Sequence, residues 1–240
     1  NNMIPWENIE KKLNTWAPLF KPFYDSGGFE AIYTQLKEQG KTIKIVPEGP
    51  DLFKAFALCP KDDLKAILVG MSPYSSIKQG VVVSDGLAFS CSNTKQEQPS
   101  LKLLFDAMED DLFDGMNLNA TRNPDLSYLA KDGVLLLNAI LTTPEGSADA
   151  HKALWKPFME YFFKEAMSHI SGIPIVFFGK VAAEYEPLVN LKMNFTKCVE
   201  HPSFAARENR PLKHNKLFTF VNSMIKGNTN REINWANVPF

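Results

Sequence analysis

The sequence predicts an α/β fold, a three-layer α/β/α arrangement with a central four-stranded parallel sheet. Three observations predict it. Short apolar runs at residues 66–69, 133–137 and 173–178 lack polar alternation, as strands covered on both faces do. Longer segments between them carry apolar residues three and four positions apart, which is the helical spacing. Strands that alternate with helices call for a parallel sheet with crossover connections. No internal repeat, low-complexity tract or Gly/Ser linker interrupts the 240 residues. The chain therefore reads as one domain over 1–240, with N-terminal helices at about 5–40 and a core at about 51–235.

The elements follow in order. Apolar spacing over 6–39, broken by Pro18 and Pro22, predicts two helices. Residues 42–46 are extended up to Pro47. Asp51 is expected to cap a short helix through Phe53, Phe56 and Leu58. The first core strand is 66–69. Ser100 is expected to cap a helix carrying Leu101, Leu104, Phe105 and Met108. The second strand is 133–137, followed by an aromatic-rich helix at 155–170. The third strand is 173–178, a fourth covers 197–199, and the last helix covers 213–225.

Composition narrows the function. Hydrophobic residues make up 45% of the chain and charged residues 22%, ordinary for a globular protein. The formal net charge is −1, so any nucleic-acid contact is local and not spread over a basic face. Cys59, Cys91 and Cys198 form no CxxC pair and no cluster with histidine, so buried reduced thiols are expected. No metal or cofactor is implied. No apolar run is long enough to span a membrane, and no secretory signal is read. The expected location is the cytoplasm, or the nucleus of a eukaryotic host, and not secretion.

The chemistry is concentrated at strand ends. Ile67-Leu68-Val69-Gly70 runs into Met71-Ser72-Pro73-Tyr74, and Gly86-Leu87-Ala88-Phe89-Ser90 follows. Open α/β sheets bind ligands in such loops, at the carboxyl ends of their strands. Leu137-Asn138 ends the second strand in an amide that can both donate and accept. By itself an asparagine there is more often a turn residue. Phe178-Gly179-Lys180 ends the third strand, where a glycine lets backbone N–H groups approach a phosphate. Alone, it is equally a helix-start glycine. Glu200-His201-Pro202-Ser203 follows the fourth strand.

These segments, with Gln98-Pro99-Ser100 and Ile233-Asn234-Trp235, resemble family 1 uracil-DNA glycosylases in unbroken order from about 51 to 235. The family's loop reads GQDPY, then GLAFS. Here it reads GMSPY, with Ser72 at the catalytic aspartate position and Met71 at the glutamine position. The resemblance implies hydrolysis of the uracil N-glycosidic bond in DNA base-excision repair. It implies DNA as partner, single- or double-stranded, with uracil or an abasic site. Phe89 would stack on the extruded base, and Tyr74 would exclude a 5-methyl group. Asn138 would read O4 and N3–H, and His201 would donate to O2 as charge develops there. Pro99 and Ser100 fall on the proline-rich loop that compresses the strand, of which one proline survives. Gly179 and Lys180 fall on the loop that pinches the backbone, with Lys180 in place of a serine. Ser203, Phe204 and Ala205 fall on the loop that carries the family's leucine wedge. Alanine is too small for that role, and Phe204 either intercalates or packs.

The recognition residues are thus present while the chemistry is in question. Serine is neutral, and a general base is worth about 10²–10⁴-fold. Asp85, where the family has histidine, is a conceivable relocated carboxylate. The segment 75–85 is longer than the bacterial pattern. Three readings follow: a protein that binds uracil-containing or abasic DNA with weak or lost excision, a slow working glycosylase, or a glycosylase-shaped accessory that binds an inhibitor or a replication protein.

Overall fold

The computed structural model describes residues 4–229 and 232–239. Three helices, not two, open the chain: α1 (Trp6–Leu13), α2 (Ala17–Asp25) and α3 (Gly28–Gln39). A left-handed Gly27 (φ 86°) separates α2 from α3, a break that apolar spacing alone does not reveal. Then come β1 (Ile45–Val46), α4 (Lys54–Leu58) and β2 (Ala66–Gly70). Asp51 does not cap α4. It lies in a 3₁₀ turn, and Phe53 holds the cap position with no side-chain bond.

A hairpin of β3 (Ile77–Lys78) and β4 (Val81–Val82) precedes α5 (Pro99–Leu112) and α6 (Ser127–Lys131). Ser100 sits inside α5; Gln98 is the cap residue, and its side chain makes no cap bond. Pro99 opens the helix because a first-turn position needs no N–H donor. After these come β5 (Val134–Asn138), β6 (Thr143–Pro144), α7 (Lys152–Lys164), β7 (Pro174–Phe178) and α8 (Gly179–Ala183). The chain continues through β8 (Phe195–Val199), α9 (Pro202–Arg207) and α10 (Leu217–Thr229). The helix expected to reach residue 170 ends at Lys164 and is followed by a 3₁₀ turn.

The main sheet is parallel and four-stranded, in the order β5-β2-β7-β8. Strands β2, β5 and β7 are buried along their whole length, which is why their sequences are uniformly apolar. The chain leaves β2 toward β5 on one side and later reaches β7 on the other. Such a reversal opens a crevice beyond the strand ends. In the β2–β5 register Gly70 pairs with Asn138, so both motif loops start at the same level.

An aromatic cluster holds the N-terminal helices to the sheet layer. Phe20 of α2 stacks on Phe158 of α7 with ring centroids 5.0 Å apart, and Trp16 and Phe56 join them. His151, just before α7, is buried in a relay. Trp155 Nε1 donates to Thr142 Oγ1 (2.8 Å), Thr142 lies 2.8 Å from His151 Nδ1, and His151 Nε2 lies 2.6 Å from Gln39 Oε1. Gln39 Oε1 can only accept, so Nε2 carries the proton and donates to it, and Nδ1 of the neutral ring accepts from the Thr142 hydroxyl. Burial lowers the His151 pKa, which suits this neutral ring. The relay is structural and ties α3 to the start of α7.

Two cysteines are buried as expected, Cys59 and Cys91, but Cys198 is exposed. It lies on β8, the edge strand, where pairing covers only one side. Among the described residues no helix is long and apolar enough to cross a membrane, and no group of three potential metal ligands converges.

Candidate active site

The loops after β2 and β5, with the start of α9, enclose a cavity of about 230 Å³. Met71, Ser72, Tyr74, Phe89, Ser100, Asn138, His201 and Ser203 all line it. Backbone bonds lock the first two loops together: Ala139 N donates to Gly70 O (2.9 Å) and Ile140 N to Met71 O (2.8 Å).

Asn138 forms part of the floor. It is 8% exposed, and among the described residues no protein group hydrogen-bonds its amide. Gly70 makes room for it, since a Cβ at that position would come within 2.7 Å of Asn138 Oδ1. Phe89 forms a wall. Its φ of 69° is unusual for a bulky residue, and such strain persists where the surroundings hold it. The ring meets Phe178 edge-on (5.1 Å, 73°) and lies 5.6 Å from the His201 ring. Tyr74 is fixed by donating from its hydroxyl to Phe89 O at 2.7 Å, and burial pushes its pKa well above the usual phenol value.

His201 caps α9. Its Nδ1 accepts the Ser203 N–H at 3.0 Å, and Ser203 Oγ is 2.8 Å away. A ring nitrogen that accepts carries no proton, so the neutral ring is protonated at Nε2. No hydrogen bond within the described residues takes that Nε2–H. Burial, with a smaller contribution from Arg207, lowers the His201 pKa to about 4. Gly179, at φ 85°, lets the start of α8 pass against this histidine; a Cβ there would lie 3.0 Å from His201 Cβ. An NMR titration of the imidazole is expected to show no protonation near pH 6.5 and a midpoint near 4. In the unfolded chain the ring takes its proton near 6.5. The folded state's advantage is therefore complete above pH 6.5 and shrinks as pH falls through the interval down to about 4.

None of the residues lining the cavity is a carboxylate. Asp85 does not relocate one there. It is fully buried and accepts from Leu87 N (3.1 Å), Ser90 Oγ (2.6 Å), Ser92 N (2.9 Å) and Ser92 Oγ (2.7 Å). These bonds fold the segment that carries Phe89, and they consume the carboxylate.

A wider groove of about 690 Å³ shares Met71, His201 and Ser203 with the cavity. Gly179, Lys180 and Phe204 line it, as do Arg207 and Lys213, two cations that motif reading passes over. Phe204 is 48% exposed, so it does not pack into the core. The Arg210 guanidinium lies 5.6 Å from its ring. Arg210 in turn holds both oxygens of Glu200 (2.7 and 2.8 Å), and this lowers the Glu200 pKa to about 2. Ala205 is completely buried, and its helix α9 packs against α5. Pro99 is exposed at the start of α5 and lies outside the cavity that Ser100 lines. Sequence reading also missed Ser75, Ser76 and Ser84, which line the cavity. Their signal was the serine-rich start and end of the 75–85 segment.

Comparison with known proteins fits this arrangement. The model of the uracil DNA glycosylase superfamily matches residues 56–226. The chain belongs to this superfamily. Across the uracil-DNA glycosylases, one from Alkaliphilus metalliredigens is 30% identical over 227 residues, covering 92% of this chain and 94% of that protein. One from Amoebophilus asiaticus is 29% identical over 222 residues, covering 92% and 97%. Among solved structures, a variant of mimivirus UNG in complex with UGI superposes with a TM-score of 0.82 at 19% identity, covering 97% of this chain and 91% of that one. UNG from Nitratifractor salsuginis gives 0.61 at 18% identity, covering 92% and 97%. The three-layer glycosylase fold is thus shared, and the family binds DNA.

Proposed function

We propose that this glycosylase-family protein recognises uracil-containing or abasic DNA and that its hydrolysis of the uracil N-glycosidic bond is strongly slowed. One observation carries the reading: the cavity keeps Tyr74, Phe89, Asn138 and His201 together, yet none of its lining residues is a carboxylate. Extruding a base costs a few kcal/mol. Stacking on Phe89 and edge hydrogen bonds to Asn138 offset that cost. The amide has no partner among the described residues, so it is free to read a pyrimidine edge. Tyr74, held by its bond to Phe89 O, stands as a rigid wall against a 5-methyl group.

The reaction needs an attacking water and relief of charge at the departing base. His201 suits the second task, because Nδ1 is occupied and Nε2–H remains to donate to a developing oxyanion. Ser72 suits only half of the first. Its hydroxyl can hold a water, but it cannot take a proton or place a negative charge near a cationic sugar. A slow working glycosylase is the second reading, and the proton on His201 Nε2 is what favours it. A protein inhibitor or a replication protein is a further partner class, and the UGI complex of the similar mimivirus fold supports it.

Gel shift and uracil release on one uracil-containing oligonucleotide test the proposal. A shifted complex with slow or undetectable release is expected. Release as fast as that of an aspartate-bearing relative would contradict it.

A further inference from the structure

The lengthened segment 75–85 is a built element. Its strands pair Ile77 with Val82 and Lys78 with Val81, and Val83 N continues the ladder to Ser76 O at 3.2 Å. Gln79 (φ 51°) and Gly80 (φ 78°) are both left-handed, the requirement of a two-residue type I′ turn whose twist matches the strands. The foot is anchored from both sides. Gly146 N donates to Ser75 O (3.0 Å), and the Asn93 amide donates to Val82 O (3.0 Å) and Ser84 O (3.3 Å). Asp85 fixes the exit.

The hairpin carries one cation, Lys78, which is exposed and in no ion pair among the described residues. Its ammonium donates to Gln98 Oε1 at 3.3 Å. Gln98 is itself 8% exposed and lines the cavity beside Ser100. One donor is thereby used for aim, and two remain. At the foot, Ser84 lines the same cavity, is 3% exposed, and has a buried hydroxyl with no partner. An orphaned hydroxyl in a cavity wall points to a polar ligand on this side.

We infer that Lys78 grips a backbone phosphate of the bound strand on the Ser100 side of the cavity, so that the hairpin adds a clamp beside a loop that retains one proline. The inference rests on the DNA-binding reading above and names a residue outside its motifs. An ammonium of this kind acts as a point charge and favours no sequence.

The test measures affinity for a labelled single strand across a range of salt, with uracil or thymine at one position. Lys78→Gln is expected to weaken binding to both strands alike at low salt. It should also reduce the slope of log affinity against log salt by about 1. Lys41→Gln, at an exposed lysine just after α3 that pairs with Glu38, is the control and should leave the slope unchanged. An unchanged slope in Lys78→Gln, a loss confined to the uracil strand, or an equal loss in the control would overturn the inference alone. A parent protein that binds neither strand would overturn both the inference and the proposed function.

Discussion

Ser72→Asp is expected to raise single-turnover uracil release by about 10²–10⁴-fold over the parent, the range a positioned general base supplies. That corresponds to roughly 3–5 kcal/mol of transition-state stabilisation. The expectation is this large because the rest of the cavity is in place. Asn138 and Gly70 lie level at the ends of paired strands, Phe89 is braced by Phe178, and His201 keeps its proton on Nε2. The new carboxylate would be the only acid among the residues lining the cavity. Two features limit the gain. Met71 replaces the family's glutamine next to the new acid, and Ala205 is buried where the family places its leucine wedge. A folded variant with no gain would show that these changes disable the site independently of Ser72.

Asn138→Ala is expected to abolish preference for uracil over an intact pair while leaving abasic-site affinity nearly unchanged. The amide has no partner among the described residues, so its loss leaves the extruded pyrimidine edge unmatched in a buried place. That costs about 1–3 kcal/mol, roughly five- to 150-fold in affinity. An abasic site offers no base edge, so nothing is lost there. Fold stability should change little, since the Asn138 side chain hydrogen-bonds no described group and sits on the cavity floor. Fluorescence anisotropy on matched duplexes reads both effects. Equal losses on uracil and abasic DNA would show that Asn138 supports the cavity and does not read the base.

Much of this molecule was legible in its sequence, and what was not has physical causes. Strands β2, β5 and β7 were visible because burial on both faces forces uniform apolarity. Strand β8 was seen only in part, since an edge strand mixes exposed Phe195 and Cys198 with buried Val199. Helix starts were misread at Asp51 and Ser100, where residues with capping side chains sit inside 3₁₀ or helical turns and cap nothing. The hairpin escaped notice although Gln79-Gly80 between Ile77-Lys78 and Val81-Val82 is a turn signal. Asp85 looked available because sequence does not show that four donors converge on it. The cavity residues were found through motif order, whereas Arg207 and Lys213 belong to no motif and enter the groove through helix and loop geometry.

The central claim is that recognition outlasted chemistry in this cavity. The most direct measurement is the affinity of the parent protein, at one salt concentration, for three matched duplexes bearing uracil, an abasic site or an intact pair. Flipping costs least where pairing is weak or the base is missing, and without the leucine wedge the protein depends more on help from the lesion. Tighter binding to the uracil and abasic duplexes than to the intact one is predicted. Equal affinity for all three would contradict the claim and leave the protein-partner reading in its place.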